Sequence, residues 1–306
     1  MPVIDFETLF HQLNGSEDSG FTAIHSPVHH SPGGVLYLLT PGVALLARPN
    51  VHLGALTGFL GGFDPSLHFA EYLDDPTKLP DGAQLCKIAG QTCYMSFGAK
   101  RTFNEHAERY FNNLKSSGHG SVFEHATFSL LLYGVSRSVT HELVRHRAGF
   151  GFSQVSQRYV SGRVLRFVER PEYSQDEVLH AQFLQRIERA ASEYTALTNR
   201  LMEMQQAGVD ILSAEVRTDL RKKVQQCARS VLPNETEASI VTTGNARAWR
   251  HLIEMRASAH AEIEIRELAV RIFLCLRLVD PVLFGDYRIE QLPDGTYTVK
   301  TEFEKV

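Results

Sequence analysis

Three short apolar runs separated by long stretches with helical spacing most constrain the fold of this chain. The runs cover residues 42–51, 126–133 and 239–244, and their β-branched and apolar side chains are typical of buried strands. We find no internal repeat. The sequence therefore predicts an α+β fold in which one domain has a small mixed or antiparallel sheet packed by long helices. Apolar residues that recur at three- and four-residue spacing predict these helices over residues 104–117, 175–206, 211–231 and 246–278.

The two ends of the chain carry different signals. Residues 1–40 are rich in glycine, serine, proline and histidine, so we interpret them as an appended segment outside the core. The predicted domain then spans residues 41–306. Near its end, polar and apolar residues alternate over residues 286–300 around Pro293, Asp294 and Gly295, which is typical of a hairpin with a tight turn.

The charge balance limits the classes of partner. Lysine and arginine total 31 and aspartate and glutamate total 35, so the formal net charge is −4. An acidic chain is not expected to coat nucleic acid or an anionic membrane, and no run approaches the ~18 apolar residues of a membrane-spanning helix. The start of the chain is acidic, unlike an export signal. We therefore predict a cytoplasmic protein with no nucleic-acid or membrane partner.

The cysteines and histidines give no metal signature. Cys86, Cys93, Cys227 and Cys275 are too scattered for a disulfide framework or a zinc knuckle, which favours reduced thiols. The histidines within residues 25–30 have no carboxylate or thiol beside them at ligand spacing. We therefore predict no metal site.

The densest chemical signal begins at Arg145, His146 and Arg147. Glycines follow, and then hydroxyl, amide and a third cationic side chain over residues 153–159. Glycines allow close approach of the backbone, and guanidinium groups bind anions by charge-assisted hydrogen bonds. The stretch predicts a phosphate-bearing ligand, although surface arginines paired to carboxylates remain the alternative.

Two further clusters contain similar residue types. In residues 118–125, His119 and Ser121 could face a ligand, while Glu124 and His125 are expected to form a polar pair near the core. In residues 243–256, Asn245 is a good helix cap, and Arg247 and His251 share one helical stripe with Arg256 beside it. A helix N-terminus with these side chains favours anion or nucleotide binding.

Several familiar catalytic motifs are absent from the sequence. The chain has no nucleophile elbow, no Walker loop and no Rossmann glycine fingerprint, and no cysteine is placed where its thiol would be activated. The chemistry is therefore expected to come from a bound cofactor that the protein positions.

Five ordered motifs resemble the flavin-dependent thymidylate synthases, a family without a cysteine nucleophile. The resemblance runs from about residue 89 to residue 284 and implies FAD, dUMP, methylenetetrahydrofolate and NADPH, in a homotetramer whose active sites combine several subunits. Transfer of the folate methylene carbon to carbon 5 of dUMP, completed by a flavin hydride, then gives dTMP. The motifs are GHGSVFEH, VSRSVTHELVRHR, SQVSQRYV, ARSVLPNETE and TTGNARAWRHLIEMRAS.

The resemblance also implies which residues form the site. Arg256 is expected to stabilise the ionised uracil nitrogen 3, and His119 to lie close to the flavin ring where folate stacks. The residues matching FAD contacts are Ser121, Arg145, His146, Arg147, Gln154, Asn245, Arg247 and His251. Those matching dUMP contacts are Glu142, Arg145, Gln154, Ser156, Arg158, Arg229 and Arg256.

One spacing differs from the commonest family pattern. Eight residues separate Arg147 from Ser156, one more than usual. The surplus residue falls within residues 148–152, where two glycines could accommodate a bulge. The contacts of these five residues are therefore left open.

Two alternative functions stay open at the level of sequence. A flavin-dependent UMP carbon-5 methylase of a nucleoside pathway would use the same machinery on a ribonucleotide. A non-catalytic nucleotide- or RNA-binding protein would retain the arginine clusters without turnover. The acidic charge balance and the presence of all three clusters in one chain disfavour the second alternative.

Overall fold

The computed structural model of the chain describes residues 3–14, 23–159, 162–207, 217–303 and 306, with the backbone alone for residues 14, 163 and 217–219. Its helices and strands form a mixed α+β structure, which confirms that prediction. The helices are α1 (Phe6–Asn14), α2 (Thr57–Leu60), α3 (Asp81–Tyr94), α4 (Ala107–Ser116), α5 (Arg137–Leu143), α6 (Pro171–Ser174), α7 (Glu177–Gln206), α8 (Arg217–Ala228), α9 (Ala246–Arg256), α10 (Ile263–Val279) and α11 (Pro281–Phe284).

A five-stranded antiparallel sheet, here called the central sheet, has the strand order β2-β5-β6-β9-β7. The antiparallel strands β1, β10 and β11 form a second sheet, and β3, β4 and β8 form a third in which β4 and β8 are parallel. The strands are β1 (Val3–Ile4), β2 (Ala23–Ile24), β3 (Val28–His30), β4 (Leu36–Leu38), β5 (Gly42–Ala47), β6 (Thr127–Tyr133), β7 (Phe150–Gln154), β8 (Arg166–Val168), β9 (Ile240–Asn245), β10 (Arg288–Gln291) and β11 (Tyr297–Lys300).

The three apolar runs of the sequence become the middle of the central sheet. Along β6, the side chains of Phe128, Leu130 and Leu132 are buried while those between them are more exposed, as the two-residue period of a strand requires. These side chains join the main core together with the apolar face of α10. The predicted strands and the predicted 286–300 hairpin are therefore confirmed, and Gly295 adopts a φ of 82° at the hairpin turn.

The first 40 residues contribute to the core, so their interpretation as a segment outside it is wrong. Phe6, Leu9 and Ile24 are at most 7% exposed and belong to the main core. Phe6, Leu9 and Leu13 recur at three- and four-residue spacing, so they lie on one face of α1. At an edge of the central sheet, β2 pairs with β5. The boundary between two units at residue 40 stays a prediction.

The helix predicted over residues 246–278 is two helices. α9 ends at Arg256, and Glu262 caps α10 by accepting a hydrogen bond from the backbone N–H of Ile265. Arg266 stabilises the intervening loop, because its Nη1 donates to the carbonyls of Ala259 and Ala261. The helices predicted over residues 104–117, 175–206 and 211–231 correspond to α4, α7 and α8. Residues 211–216 lie outside the described residues.

A buried carboxylate anchors the start of α5. Ser136 caps this helix by accepting the Val139 N–H, and Ser136 in turn donates its N–H and hydroxyl to Glu264 over 2.7 and 2.8 Å. Burial raises the pKa of Glu264 to about 7. The helix that leads into the arginine-rich turn is thereby tied to α10.

In the described part of the chain, we find no helix with the length and apolar character needed to cross a membrane.

Candidate active site

A cavity of about 400 Å³ lies where the turn after α5 meets α9, and we call it the Arg-His cavity. It brings together side chains that are about 110 residues apart in the sequence. Five of the predicted site residues line it. The lining residues are Arg145, His146, Arg147, Ala148, Phe150, His251 and Arg256.

Local sequence explains how this turn reaches α9. Gly149 has a φ of 75°, and a Cβ at this position would lie 2.8 Å from the Ala248 Cβ. Glycine is therefore required both by the backbone conformation and by the close approach. Asn245 caps α9 as predicted, since its side-chain oxygen accepts the Ala248 N–H over 2.9 Å.

Arg256 is held by two partners at the wall of the cavity. Its Nη1 donates to Glu142 Oε2 over 2.8 Å, and its Nε donates to His146 Nε2 over 2.9 Å. The Arg256 side chain is 22% exposed, so one edge of the guanidinium group remains accessible. This cation is oriented before any ligand arrives.

His146 can accept this hydrogen bond only when its ring is neutral. Burial, together with the charges of the nearby Arg256 and His251, lowers the His146 pKa to about 4. Its Nε2 is therefore unprotonated at neutral pH, which places the ring proton on Nδ1. The His251 ring lies 5.9 Å away and faces the same cavity.

An aromatic side chain forms the apolar part of the cavity. The Phe150 ring packs edge-on against Trp249 with a centroid distance of 4.9 Å. Trp249 is buried, and its Nε1 donates to the Phe128 carbonyl. The sequence left the contacts of Ala148 and Phe150 open, and the alternation along β7 is the signal that could have identified Phe150.

Two cations on the cavity rim differ from Arg256. Arg145 and Arg147 are exposed, and neither forms an ion pair within the described residues. Guanidinium groups without carboxylate partners are suited to bind an anionic group of a ligand.

The cluster at residues 118–125 packs beside α9 without lining the cavity. A Cβ at Gly120 would lie 2.8 Å from Arg247 Nε, which places the exposed His119 and Ser121 near this helix. Arg247 Nη1 donates to Glu124 Oε1 over 2.6 Å. The expected Glu124–His125 pair near the core is therefore wrong, because both residues are exposed and Glu124 pairs with α9.

Four of the seven residues predicted to contact dUMP are not at this cavity, and we call them the polar group: Gln154, Ser156, Arg158 and Arg229. Gln154 ends β7, Ser156 Oγ accepts the Arg158 N–H over 3.4 Å, and Arg229 lies in a single 3₁₀ turn after α8. The described residues that line the Arg-His cavity include none of the four. The polar group therefore lies outside the lining of this cavity in a single chain.

Comparisons with known proteins show the family of this chain. The model of the family described as "Thymidylate synthase complementing protein" matches residues 76–282. The chain is 42% identical to a flavin-dependent thymidylate synthase of Mycolicibacterium gilvum over 221 residues, which cover 72% of this chain and 85% of that relative. The chain belongs to this family. The family resemblance predicted from the motifs is thereby confirmed.

Two further relatives of the family extend the match. Flavin-dependent thymidylate synthases of Mycobacterium leprae and Mycobacterium avium are 40% identical over 257 residues and 42% identical over 254 residues, respectively. Each alignment covers 83% of this chain and 96% of the relative. The predicted site residues, from His119 to Arg256, all lie inside the span that the family model matches.

Proposed function

We propose that this protein is an enzyme that methylates dUMP to dTMP, as a flavin-dependent thymidylate synthase. The observation that carries the proposal is the orientation of Arg256 by Glu142 and neutral His146 beside the open Arg-His cavity. A preorganised cation of this kind stabilises negative charge that develops on a bound ring. We assign that charge to nitrogen 3 of the uracil.

The cysteines support a mechanism without a thiol nucleophile. Cys86 and Cys275 are buried, and burial raises the pKa of each thiol to about 12. Cys93 and Cys227 are exposed, but neither is among the residues lining the cavity. We therefore propose that no thiolate attacks carbon 6 and that carbon 5 of the uracil becomes nucleophilic through electrostatic stabilisation by Arg256.

The Arg-His cavity fits part of an FAD molecule. Arg145 and Arg147 offer donors to a phosphate, while the Phe150 and His251 rings offer flat surfaces to an aromatic ring system. A flavin bound there supplies the hydride that completes the methyl group. The remaining cofactor contacts are proposed for Ser121, Gln154, Asn245 and Arg247, and His119 is proposed to lie at the flavin ring where the folate stacks.

FAD is larger than a cavity of about 400 Å³, so one chain surrounds only part of it. The polar group also lies outside that cavity. Both observations support our proposal of a homotetramer in which the polar group of one subunit completes the cavity of another. Ser156 and the guanidinium groups of Arg158 and Arg229 would then bind the dUMP phosphate.

The co-substrates follow from the proposed reaction. Methylenetetrahydrofolate donates the carbon and NADPH provides the reducing equivalents, with no metal, nucleic acid or membrane involved. We place the protein in the cytoplasm, where the two buried thiols stay reduced.

Release of tritium from carbon 5 of labelled dUMP tests the reaction. We expect release that requires flavin, methylenetetrahydrofolate and NADPH, with labelled UMP measured in parallel. Turnover of UMP alone would assign the protein to ribonucleotide methylation instead. A colourless protein that cannot be reconstituted with FAD would support a binding protein without turnover.

A double cysteine variant serves as the matched control. Cys93→Ala combined with Cys227→Ala removes both exposed thiols and leaves the core cysteines in place. Tritium release at the unaltered rate is expected. Loss of release in a folded double variant would show that a thiol takes part in the chemistry.

A further inference from the structure

A second cavity, of about 280 Å³, lies between α1, α10 and the turn of the β10-β11 hairpin, and we call it the hairpin cavity. It shares no lining residue with the Arg-His cavity. The proposed reaction therefore leaves it without a role. Its lining residues are Leu13, Gln175, Glu267, Val270, Arg271, Asp294, Gly295, Thr296 and Tyr297.

Two charged side chains in its wall each have a buried atom without a hydrogen-bond partner in the described part of the chain. Glu267 and Arg271 lie one turn apart on α10, and Arg271 is only 5% exposed. Within the described residues, Arg271 Nη1 and Glu267 Oε2 are both shielded from solvent and have no partner. Leaving such a buried polar atom without a partner typically costs about 1–3 kcal/mol. Burial lowers the pKa of Arg271 and raises that of Glu267, as expected for charges that are poorly compensated.

Three other polar residues in the wall, Asp294, Thr296 and Tyr297, already have hydrogen-bond partners. Arg266 Nη2 donates to Asp294 Oδ2 over 2.9 Å and to Thr296 Oγ1 over 2.7 Å, while the Tyr297 hydroxyl donates to Gln12. Asp294 pairs with Arg266, and Glu267 lies one turn from Arg271 on α10. The positive and negative charges at the cavity therefore balance. A complementary ligand is neutral and offers one acceptor beside one donor.

Size and shape restrict the ligand further. Ligand cavities for drug-sized molecules are about 300–1,000 Å³, so a cavity of about 280 Å³ suits a single ring with small substituents. Leu13 and Val270 give one apolar side to this space. A flat heterocycle can contact these side chains while its polar edge meets α10.

We propose that the hairpin cavity binds a small neutral heterocycle with a lactam edge, such as the pyrimidine base uracil. Arg271 donates to the ring carbonyl, and the adjacent ring N–H donates to Glu267. The ligand thereby supplies the two partners that the described residues do not provide. A nucleotide is excluded, because its phosphate would bring negative charge into a wall that has no spare cation.

Calorimetry with uracil tests this proposal on the full chain, loaded with FAD and saturated with dUMP so that the nucleotide site is filled. We expect saturable binding at one additional site. Methylation of both ring nitrogens in 1,3-dimethyluracil removes the N–H donors and should weaken binding by about tenfold or more. The proposal would be overturned if dUMP displaced uracil, if benzoate bound more tightly than uracil, or if no saturable binding were measured.

Substitutions in α1 separate the hairpin cavity from other sites. Leu13→Trp fills the cavity from the helix side and should abolish uracil binding, whereas His11→Trp adds the same ring at an exposed position and should not. Arg271→Met removes the donor and should weaken binding by about tenfold. Thermal unfolding confirms that each variant is folded. Unchanged affinity in folded Leu13→Trp would also overturn the proposal, even if Arg271→Met failed to fold.

Discussion

The Arg-His cavity and the polar group differ in how far a single chain completes them. Arg256 has two bonded partners and is mostly buried, whereas Arg158 is exposed and its guanidinium group lies 5.6 Å from the Tyr159 ring centroid. A group that stabilises developing charge has to be oriented in advance, because reorganisation during the reaction would raise the barrier. A group that binds a phosphate can remain solvated until the ligand arrives. The difference indicates separate roles in catalysis and in binding.

The largest effect is expected for Arg256→Ala. Removal of one preorganised charge-stabilising group typically costs about 10²–10³-fold in turnover, while folding and bound flavin should be retained. Steady-state rates and flavin absorbance measure both. Arg200→Ala, which removes an exposed cation of α7, is the control and should keep full turnover. Equal rates for the two variants would remove Arg256 from the mechanism.

Arg158→Ala is expected to act on affinity. A charge-assisted hydrogen bond to phosphate contributes about 1.5–3 kcal/mol, so dUMP should bind about 10- to 100-fold more weakly. Titration of the flavin-loaded protein with dUMP measures the dissociation constant. Normal affinity would show that Arg158 does not contact the phosphate, and the polar group would then lose its proposed role.

His146→Gln tests the neutral state of the histidine. The pKa of His146 is about 4 in the folded protein and about 6.5 in an unfolded chain. Between about pH 4 and pH 6.5, the unfolded chain binds a proton at His146 that the folded protein does not bind. The free energy of unfolding therefore decreases as the pH falls from about 6.5 towards 4. Glutamine keeps a hydrogen-bond acceptor but does not titrate, so the variant should lose less stability over this range.

Urea unfolding at several pH values gives the comparison between His146→Gln and the unaltered protein. Other groups that titrate in this range, including Glu264, are present in both proteins and cancel in the difference. Parallel stability profiles would mean that His146 is not held neutral by its surroundings.

Arg247→Ala should have the smallest effect on stability. Its bond to Glu124 is exposed, with side chains 43% and 49% accessible, and such pairs contribute at most about 1 kcal/mol. The proposed FAD contact predicts a several-fold loss of flavin affinity instead. Glu124→Gln removes the same ion pair without removing the cation, and it should leave flavin binding intact. Weakened flavin binding in both variants would assign the effect to the ion pair.

Local signals in the sequence predicted more of the fold than of its assembly into a site. The apolar runs identified the central strands, and Asn245 was recognised as a helix cap from residue type and position. The end of α9 was missed, because the residues that follow Arg256 do not include a glycine or proline. The core contact of α1 was missed as well, since its partners lie far away in the chain.

Long-range contacts explain why the site was predicted only as a set of residues. The sequence and the family resemblance named Glu142, His146 and Arg256, but the hydrogen bonds between them join positions 110 and 114 residues apart. The low pKa of His146 arises from burial and from a neighbouring cation, neither of which can be read from a local pattern. β7 begins at Phe150, which lines the cavity, and ends at Gln154, which does not. The direction of this strand could not be read from the sequence.

The Arg266 side chain has a consequence for local opening of the fold. One guanidinium group holds the loop after Arg256 through Ala259 and Ala261 and also holds the hairpin turn through Asp294. Loss of either set of bonds leaves the same buried cation short of partners, so the two segments should open together. Their backbone amides should then exchange with deuterium at similar rates, as one cooperative unit.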